Sequence, residues 1–308
     1  MKHKYLLFLL GMFCAYQQVN SQEINKKDSL FPIDKKPAVQ LGSSLSQIWE
    51  LDNYTERGTL KLQIYRPNYI LPFRLTDKVN KQPTNFNPSR GIPPYKDYQR
   101  METKFQISLK SKIIQDAFWD CDIWVGFTQK SYWQVYNEEL SRPFRELNYE
   151  PEIMFVAPLN FSIGDFKWRM INLSLNHQSN GKEQTLSRSW NRIILTTAHE
   201  WRNFIFITHY WWRFTEDNKE DDNPEITKYV GRAEFNTIYS YKKHLFNLSI
   251  RNNLSFTKNR GYAEFSYIFP IKGDLKAMFQ ASHGFGDSLI EYNHKQTTIG
   301  LGVVLMEL

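Results

Sequence analysis

Two residues that could act together in nucleophilic catalysis, His177 and Ser179, are separated by one residue, and Asn191 follows in the next apolar run. A histidine beside a serine can accept the hydroxyl proton, and an asparagine carbonyl can hold the imidazole ring in the tautomer that this transfer needs. Asparagine is neutral and stabilises the imidazolium less than aspartate would, but it can still orient the ring. The chemistry indicated is nucleophilic acyl transfer.

The alternation of side chains predicts that all three residues lie on the same face of a β-sheet. At a period of two, His177 and Ser179 continue the set that contains Leu173 and Leu175, and Asn191 shares its parity with Ile193 and Leu195. Residues i and i+2 on one face of a strand lie about 7 Å apart at the backbone. If the two runs form a hairpin, Asn191 lies beside His177. A histidine and a serine at the rim of a strand are also ordinary interfacial residues.

The N-terminus has the pattern of an export signal. Lys2 and Lys4 precede an apolar stretch that is too short to span a bilayer, and Val19 and Ser21 suit cleavage before Gln22. A lipoprotein signal at Cys14 is the less favoured alternative. Loss of the two lysines changes the formal charge from +7 to +5, which, without a basic block, argues against nucleic acid as a partner. Cys121 is then the one remaining cysteine, so no intramolecular disulfide can form.

The composition favours a transmembrane β-barrel. Aromatic residues make up 16% of the chain, and after the signal no window of 18 residues is apolar enough for a membrane helix. A barrel hides its lipid-facing residues among polar lumen-facing ones, so that the average is polar. An exported soluble β-sandwich that binds a ligand is the competing interpretation.

Twelve runs of alternating residues predict an all-β, twelve-stranded antiparallel transmembrane barrel. They cover residues 61–76, 101–113, 120–136, 150–163, 167–180, 189–201, 203–214, 228–242, 244–255, 260–271, 274–289 and 295–308. Short connections alternate with longer charged ones, as expected of tight periplasmic turns and longer loops at the opposite end. We divide the chain into a signal peptide (1–21), a polar N-terminal extension (22–58) and the barrel (59–308). Tryptophans near strand ends predict aromatic girdles, and lumen-facing charges predict a filled interior; those charges are Lys104, Lys110, Arg232 and Glu234.

Several segments resemble the outer membrane phospholipase A family and occur in its order, from about Tyr65 to the C-terminus. They are NHQSNGKEQTLSRSWNR, FTQKSYWQVYNEELSRPFRELNYEPE, DDNPEITKYVG, GYAEFSYIFPI, GFGDSLIEYNHKQTTIGLGVVL and RPNYILPF. The resemblance implies a twelve-stranded barrel in the outer membrane with its active site toward the outer leaflet. It also implies calcium-dependent hydrolysis of the sn-1 and sn-2 acyl esters of phospholipids and of lysophospholipids. By the same resemblance Ser179 is the nucleophile, His177 the general base and Asn191 the orienting amide.

The resemblance further implies a metal and a partner subunit. Calcium would be bound at each active site by the Ser187 hydroxyl, the Lys182 carbonyl and Ser141 of the partner subunit, in an enzyme that is dormant as a monomer and active as a homodimer. The family commonly has arginine at the position of Lys182. Gln129 continues the lipid-facing parity of its strand, where an unpaired amide is costly, and the resemblance implies that it forms a hydrogen bond across the dimer interface.

Other interpretations remain at this stage. A non-catalytic barrel or channel could keep the family sequence, and Gln129 could lie above the bilayer core in water. The acidic run from Asp217 to Asp222 is expected to be a solvated loop rather than a calcium site. His199-Glu200 lacks the second histidine of a zinc helix, and Leu308 stands where many outer-membrane barrels end in an aromatic residue.

Overall fold

The computed structural model of the protein describes residues 44–118, 120–217 and 219–306. The predicted signal peptide, residues 22–43 of the predicted extension, Trp119 and Leu308 lie outside these ranges.

The described chain forms a closed antiparallel β-barrel of twelve strands, as the alternation predicts. The strands are β1 Gln63–Ile64, β2 Asn68–Thr76, β3 Met101–Phe118, β4 Cys121–Trp133, β5 Glu146–Ile163, β6 Phe166–Ser179, β7 Ser189–Trp201, β8 Phe204–Arg213, β9 Ala233–Tyr241, β10 His244–Asn252, β11 Gly261–Lys272, β12 Leu275–Phe285 and β13 Lys295–Met306. The pair β1 and β2 both pair with β3 and count as one interrupted strand. Pairing of β13 with β2 closes the barrel.

The two ends of the barrel differ in their connections. At one end, which we call the tight-turn end, β5–β6, β7–β8, β9–β10 and β11–β12 are joined by two residues each. The first of each pair has a positive φ, between 52° and 61°, as primed hairpin turns require. The other end, the long-loop end, carries residues 77–100, 134–145, 180–188, 214–232, 253–260 and 286–294. His177, Ser179 and Asn191 lie at the long-loop end.

The outer wall is apolar and the lumen is polar. Leu173 and Leu175 are each 49% exposed, whereas the intervening Asn172, Ser174 and Asn176 are buried. Large apolar side chains are exposed in the same way around the wall; they include Phe73, Ile107, Phe127, Phe155, Tyr210, Phe235, Leu248, Ile250, Phe265, Phe279, Ile299 and Leu301. So broad an apolar belt is rare on a soluble monomer and is the lipid-facing surface of a membrane barrel.

The lumen contains buried charges that are paired with one another. Arg74 contacts both Glu102 and Asp287, and Arg145 donates to the two carboxylate oxygens of Glu102 at 2.7 and 2.8 Å. Lys104 donates to Gln280 at 2.8 Å. Burial of a charge is tolerated when it is paired and hydrogen-bonded in this way.

Among the four charges expected in the lumen, Lys104 and Lys110 are fully buried there and Glu234 is partly buried. Arg232 is exposed, because it precedes β9 and belongs to a loop.

Residues 44–58 lie at the tight-turn end of the barrel, where the side chains of Leu45, Ile48, Trp49 and Leu51 are buried, and we call this segment the N-terminal plug. Helix α1 (Leu45–Trp49) begins with a capping box at Ser44 and buries Leu45, Ile48 and Trp49. These side chains pack against inward-facing residues of the neighbouring strands, which are Trp124, Met154, Val156, Met170 and Ala198. The second helix, α2 (Ile226–Tyr229), lies in the β8–β9 loop. Neither helix in the described ranges is long and apolar enough to cross a membrane.

Some boundaries and side-chain positions differ from the prediction. The strand β9 begins at Ala233 rather than 228, because Pro224 and helix α2 occupy the preceding residues. Trp124, Trp190 and Trp211 are buried in the lumen, so the girdle assignment is wrong for these three, whose parity points inward.

Other aromatic side chains do stack on the outer wall at the tight-turn end. Phe204 and Tyr239 have ring centroids 4.6 Å apart, and Phe246 and Tyr267 have centroids 4.7 Å apart. These rings form the girdle expected where a barrel meets the membrane interface.

Candidate active site

The β6–β7 hairpin brings His177 and Asn191 together. The two residues are direct partners in the strand register, and Ser179 is opposite Ser189. His177 is exposed on the outer wall, in line with Leu173 and Leu175. His177 therefore faces outward in the structure, as the alternation of the sequence predicts.

The His177 ring is oriented by Asn191. Its Nδ1 lies 2.8 Å from the Asn191 side-chain carbonyl oxygen Oδ1. Since Oδ1 can only accept, the Nδ1 atom must carry the proton, and Nε2 is left as the basic nitrogen. Asn191 is held in turn, because its backbone carbonyl accepts from the Phe214 N–H at 2.9 Å. This is the orienting contact that a general-base histidine needs.

Ser179 lies on the same face, but its hydroxyl is turned toward the loop that follows β6. Its Oγ accepts from the Gly181 N–H at 3.1 Å, and among the described contacts it forms no hydrogen bond with the His177 ring. Catalytic hydrogen bonds are often long in the absence of substrate, so this geometry is compatible with a nucleophile.

The loop 180–188 presents oxygen atoms beside the serine. Asn180 is buried and fixes the loop, since its Oδ1 accepts from the Arg188 N–H at 2.9 Å and its Nδ2 donates to the Leu186 carbonyl at 2.8 Å. The Ser187 hydroxyl donates to Asp222 Oδ2 at 2.5 Å. The Lys182 ammonium is turned away and paired with buried Glu146 at 3.1 Å.

The prediction that the acidic run from Asp217 to Asp222 is solvated is wrong for two of its residues. Asp221 and Asp222 are 6% and 8% exposed. Asp221 pairs with Arg213 at 2.5 Å, and Asp222 contacts Arg90 at 2.7 Å besides Ser187. Alternation could not have revealed this, because the run lies in a loop whose path is set by these ion pairs.

A carboxylate that the sequence did not single out, Glu216, also reaches the site. Asn191 Nδ2 donates to its Oε1 at 3.4 Å. Burial raises the pKa of the Glu216 carboxyl above its ordinary value, and the negative charges of Asp221 and Asp222 act in the same direction. Arg213 and the hydrogen bond from Asn191 oppose the shift.

In the described structure Ser141 and Gln129 form no hydrogen bond with His177, Ser179 or Asn191. Ser141, in the β4–β5 loop, accepts from the Trp133 indole N–H through its backbone carbonyl at 2.9 Å. Gln129 follows outward-facing Phe127 on β4, and its Nε2 donates to Ser131 Oγ at 3.1 Å. The amide therefore has a partner within its own strand.

The His199-Glu200 pair is used in structural contacts. Glu200 accepts from the Leu45 N–H of the N-terminal plug at 2.6 Å, and His199 lies 3.3 Å from the Thr197 hydroxyl.

Comparison with known proteins gives one consistent result. Residues 45–305 match the family model for phospholipase A1. The phospholipase A1 of Escherichia coli strain K12 is 31% identical over 98% of this chain and 98% of its own length. The calcium-bound dimer of the Salmonella typhi outer membrane phospholipase superposes with a TM-score of 0.74 and 28% identity, covering 87% of this chain and 99% of its own. Outer membrane phospholipase A from Escherichia coli gives a TM-score of 0.71 at 30% identity, over 81% of this chain and all of its own.

A match over nearly the whole described chain, in sequence and in barrel architecture, assigns the protein: the chain belongs to the phospholipase A1 family of outer membrane phospholipases.

Proposed function

We propose that the protein is a calcium-dependent phospholipase that hydrolyses the sn-1 and sn-2 acyl esters of phospholipids and of lysophospholipids. The observation that carries the proposal is the 2.8 Å contact between His177 and Asn191 on the outer wall, one position along the same face from Ser179. A nucleophile on the lipid-facing wall at the rim of the apolar belt would meet acyl esters at the depth of the headgroups.

The proposed reaction is an acyl transfer in two stages. Ser179 Oγ attacks the ester carbonyl carbon while its proton passes to His177 Nε2. The imidazolium returns that proton to the departing glycerol oxygen, and the acyl group remains on Ser179. Water then attacks the acyl ester with His177 again as the base, and the imidazolium returns this proton to Ser179 Oγ as the fatty acid leaves. Asn191 keeps the ring in place throughout.

The residues around Ser187 fit calcium. Calcium prefers oxygen ligands and retains waters. The Ser187 hydroxyl lies against the Asp222 carboxylate, and the Lys182 carbonyl would add a third oxygen. The Lys182 ammonium is neutralised by Glu146, so it does not oppose a cation. No group of three or more histidine, cysteine, aspartate or glutamate residues forms a metal cluster in the described ranges, so the site would be sparse. When bound, calcium would supply positive charge near the developing oxyanion.

Dimerisation is proposed to complete the site. Ser141 of the partner subunit would add a calcium ligand, and Gln129 would exchange its hydrogen bond with Ser131 for one across the interface. The monomer would be dormant, because it lacks the partner's ligand. The apolar belt supports such an association within a membrane, with the active site toward the outer leaflet.

The decisive experiment is fatty-acid release from phospholipid in mixed micelles, with calcium or with a chelator, for the wild type and Ser179→Ala. We expect release only by the wild type and only with calcium. Ser162→Ala, an exposed position on β5 near the tight-turn end, is the matched control and should retain activity. Release by Ser179→Ala equal to that of the wild type would contradict the proposed nucleophile.

A further inference from the structure

Asn191 is bonded on both ends of its side-chain amide. Its Oδ1 faces His177 Nδ1 at 2.8 Å, and its Nδ2 donates to Glu216 Oε1 at 3.4 Å. The amide thus separates an imidazole that becomes cationic during the proposed reaction from a carboxylate in the β8–β9 loop.

The position of Glu216 is fixed by the hairpin itself. Phe214, two residues before it, donates its N–H to the Asn191 carbonyl at 2.9 Å. The start of the loop therefore continues along β7, and Glu216, which is partly buried, is placed over the Asn191 amide.

Glu216 forms a long ion pair with Arg213, a cation that it shares with Asp221. Arg213 Nη2 lies 3.8 Å from Glu216 Oε2, but it bonds Asp221 at 2.5 Å, and Arg213 Nη1 donates to the Asn223 carbonyl at 3.0 Å. Asp222 is engaged by Arg90 and Ser187. Across Asn191, the titratable group on β6 is His177.

A neutral asparagine can orient a histidine but carries no charge to balance the imidazolium. A carboxylate behind the amide supplies that charge and polarises the amide, so that Oδ1 becomes a better acceptor. The same contact fixes which end of the amide faces the ring, because Nδ2 is held by Glu216.

We propose that Glu216 is a positioning residue for the proposed Ser179–His177–Asn191 triad, acting through the Asn191 amide. It orients that amide and stabilises the positive charge on His177. No proton moves to Glu216 in the reaction. The inference depends on the proposed hydrolytic function.

The test compares Glu216→Gln with Glu220→Gln in calcium-dependent fatty-acid release. Both changes remove one negative charge from the same loop, but the Glu220 side chain is exposed and, among the described contacts, forms none with Asn191. We expect kcat of Glu216→Gln to fall roughly fivefold to tenfold, as loss of one charge near a developing cation predicts, with KM unchanged. Glu220→Gln should match the wild type. Far-ultraviolet circular dichroism checks that each variant is folded.

Two further measurements separate an electrostatic role from a structural one. The ratio of wild-type to Glu216→Gln activity should fall toward one as the pH is lowered, because a protonated glutamic acid is as neutral as glutamine. In the Asn191→Asp background the aspartate carries its own charge, so Glu216→Gln should cause no loss there.

The proposal is overturned if Glu216→Gln equals the wild type at every pH, or if it loses the same factor at every pH and in both backgrounds. The second result would mean that Glu216 only tethers the loop. Wild-type protein without calcium-dependent hydrolysis, or undiminished hydrolysis by Ser179→Ala, would instead overturn the proposed function on which this inference rests.

Discussion

At the scale of single residues, the orientation of the candidate base depends on one amide. Asn191 is the strand partner of His177 and is also bonded to Phe214 and Glu216. The side chain is bonded at both ends of its amide, to His177 and to Glu216, and the Phe214 N–H holds the Asn191 backbone carbonyl. A group fixed in this way has few rotamers to lose when substrate binds, and preorganisation of this kind lowers the barrier of a catalysed step.

Replacement of Asn191 tests this directly. In Asn191→Ala the His177 ring loses its acceptor, and we expect kcat to fall by about one to two orders of magnitude, since removal of an orienting group in a catalytic triad has effects of this size or larger. Asn191→Asp keeps an acceptor oxygen at the same place and should retain most of the activity. Rates are compared by fatty-acid release at saturating calcium, and an alanine variant as active as the wild type would contradict the orienting role.

At the scale of elements, the N-terminal plug fills the tight-turn end of the barrel. The Lys110 ammonium lies 3.3 Å from the centroid of the Trp49 ring and donates to the Ile48 carbonyl at 2.6 Å. Lys112 bridges Glu50 at 3.1 Å and Asp122 at 2.7 Å. Helix α1 is too short to be stable alone, so these contacts determine its structure.

Trp49→Ala should therefore destabilise the barrel rather than impair its chemistry. Loss of a fully packed aromatic side chain costs about 3 kcal/mol or more, so we expect a clear fall in the urea midpoint of the protein in detergent. Activity of the folded fraction should persist, because the plug lies at the end opposite the β6–β7 loop. Tyr54→Ala is the control, since Tyr54 is 79% exposed. Equal midpoints for the two variants would show that the plug contributes no stability.

The elements differ in how far sequence alone could define them. Strands such as β6 and β7 follow a strict period of two, because lipid lies on one side and a polar lumen on the other, and their ends fall within a residue of the prediction. The same alternation places His177 and Asn191 on one face. It carries no information about helix α1, whose five residues show no long-range period.

Contacts between loops could not be predicted from the sequence either. Glu216 reaches Asn191 only through the path of the β8–β9 loop, and Asp222 reaches Ser187 from the same loop. No local pattern specifies such long-range contacts between loops. The sequence therefore predicts which residues of the hairpin share a face. The carboxylates around them, Glu216 and Asp222, can be placed only from the three-dimensional structure.

At the scale of the whole molecule, the lumen is occupied by its own side chains. Near the long-loop end, Tyr132 donates to the Asp287 carbonyl at 2.7 Å, while Tyr262 donates to the Asp287 carboxylate at 2.8 Å. Together with Arg74 and Lys104 these groups form a buried network across the barrel.

This network argues against a channel. In planar bilayers containing the wild-type protein we expect no stable open conductance, because ions would have to displace buried ion pairs that are costly to break. A protein of porin type at the same concentration serves as the positive control. A persistent ohmic conductance would support the alternative that the protein is a non-catalytic channel.

The pairing of the first and last strands has a consequence for the order of folding. His177 and Asn191 are close in the chain, so the hairpin that carries them can form through a short loop, whereas contact of Leu75 with Ile299 requires nearly the whole barrel sequence to be brought together. Long-range closure is entropically expensive and slow. We therefore expect the β6–β7 hairpin to acquire its register early, and pairing of β13 with β2 to limit the rate at which the mature barrel appears.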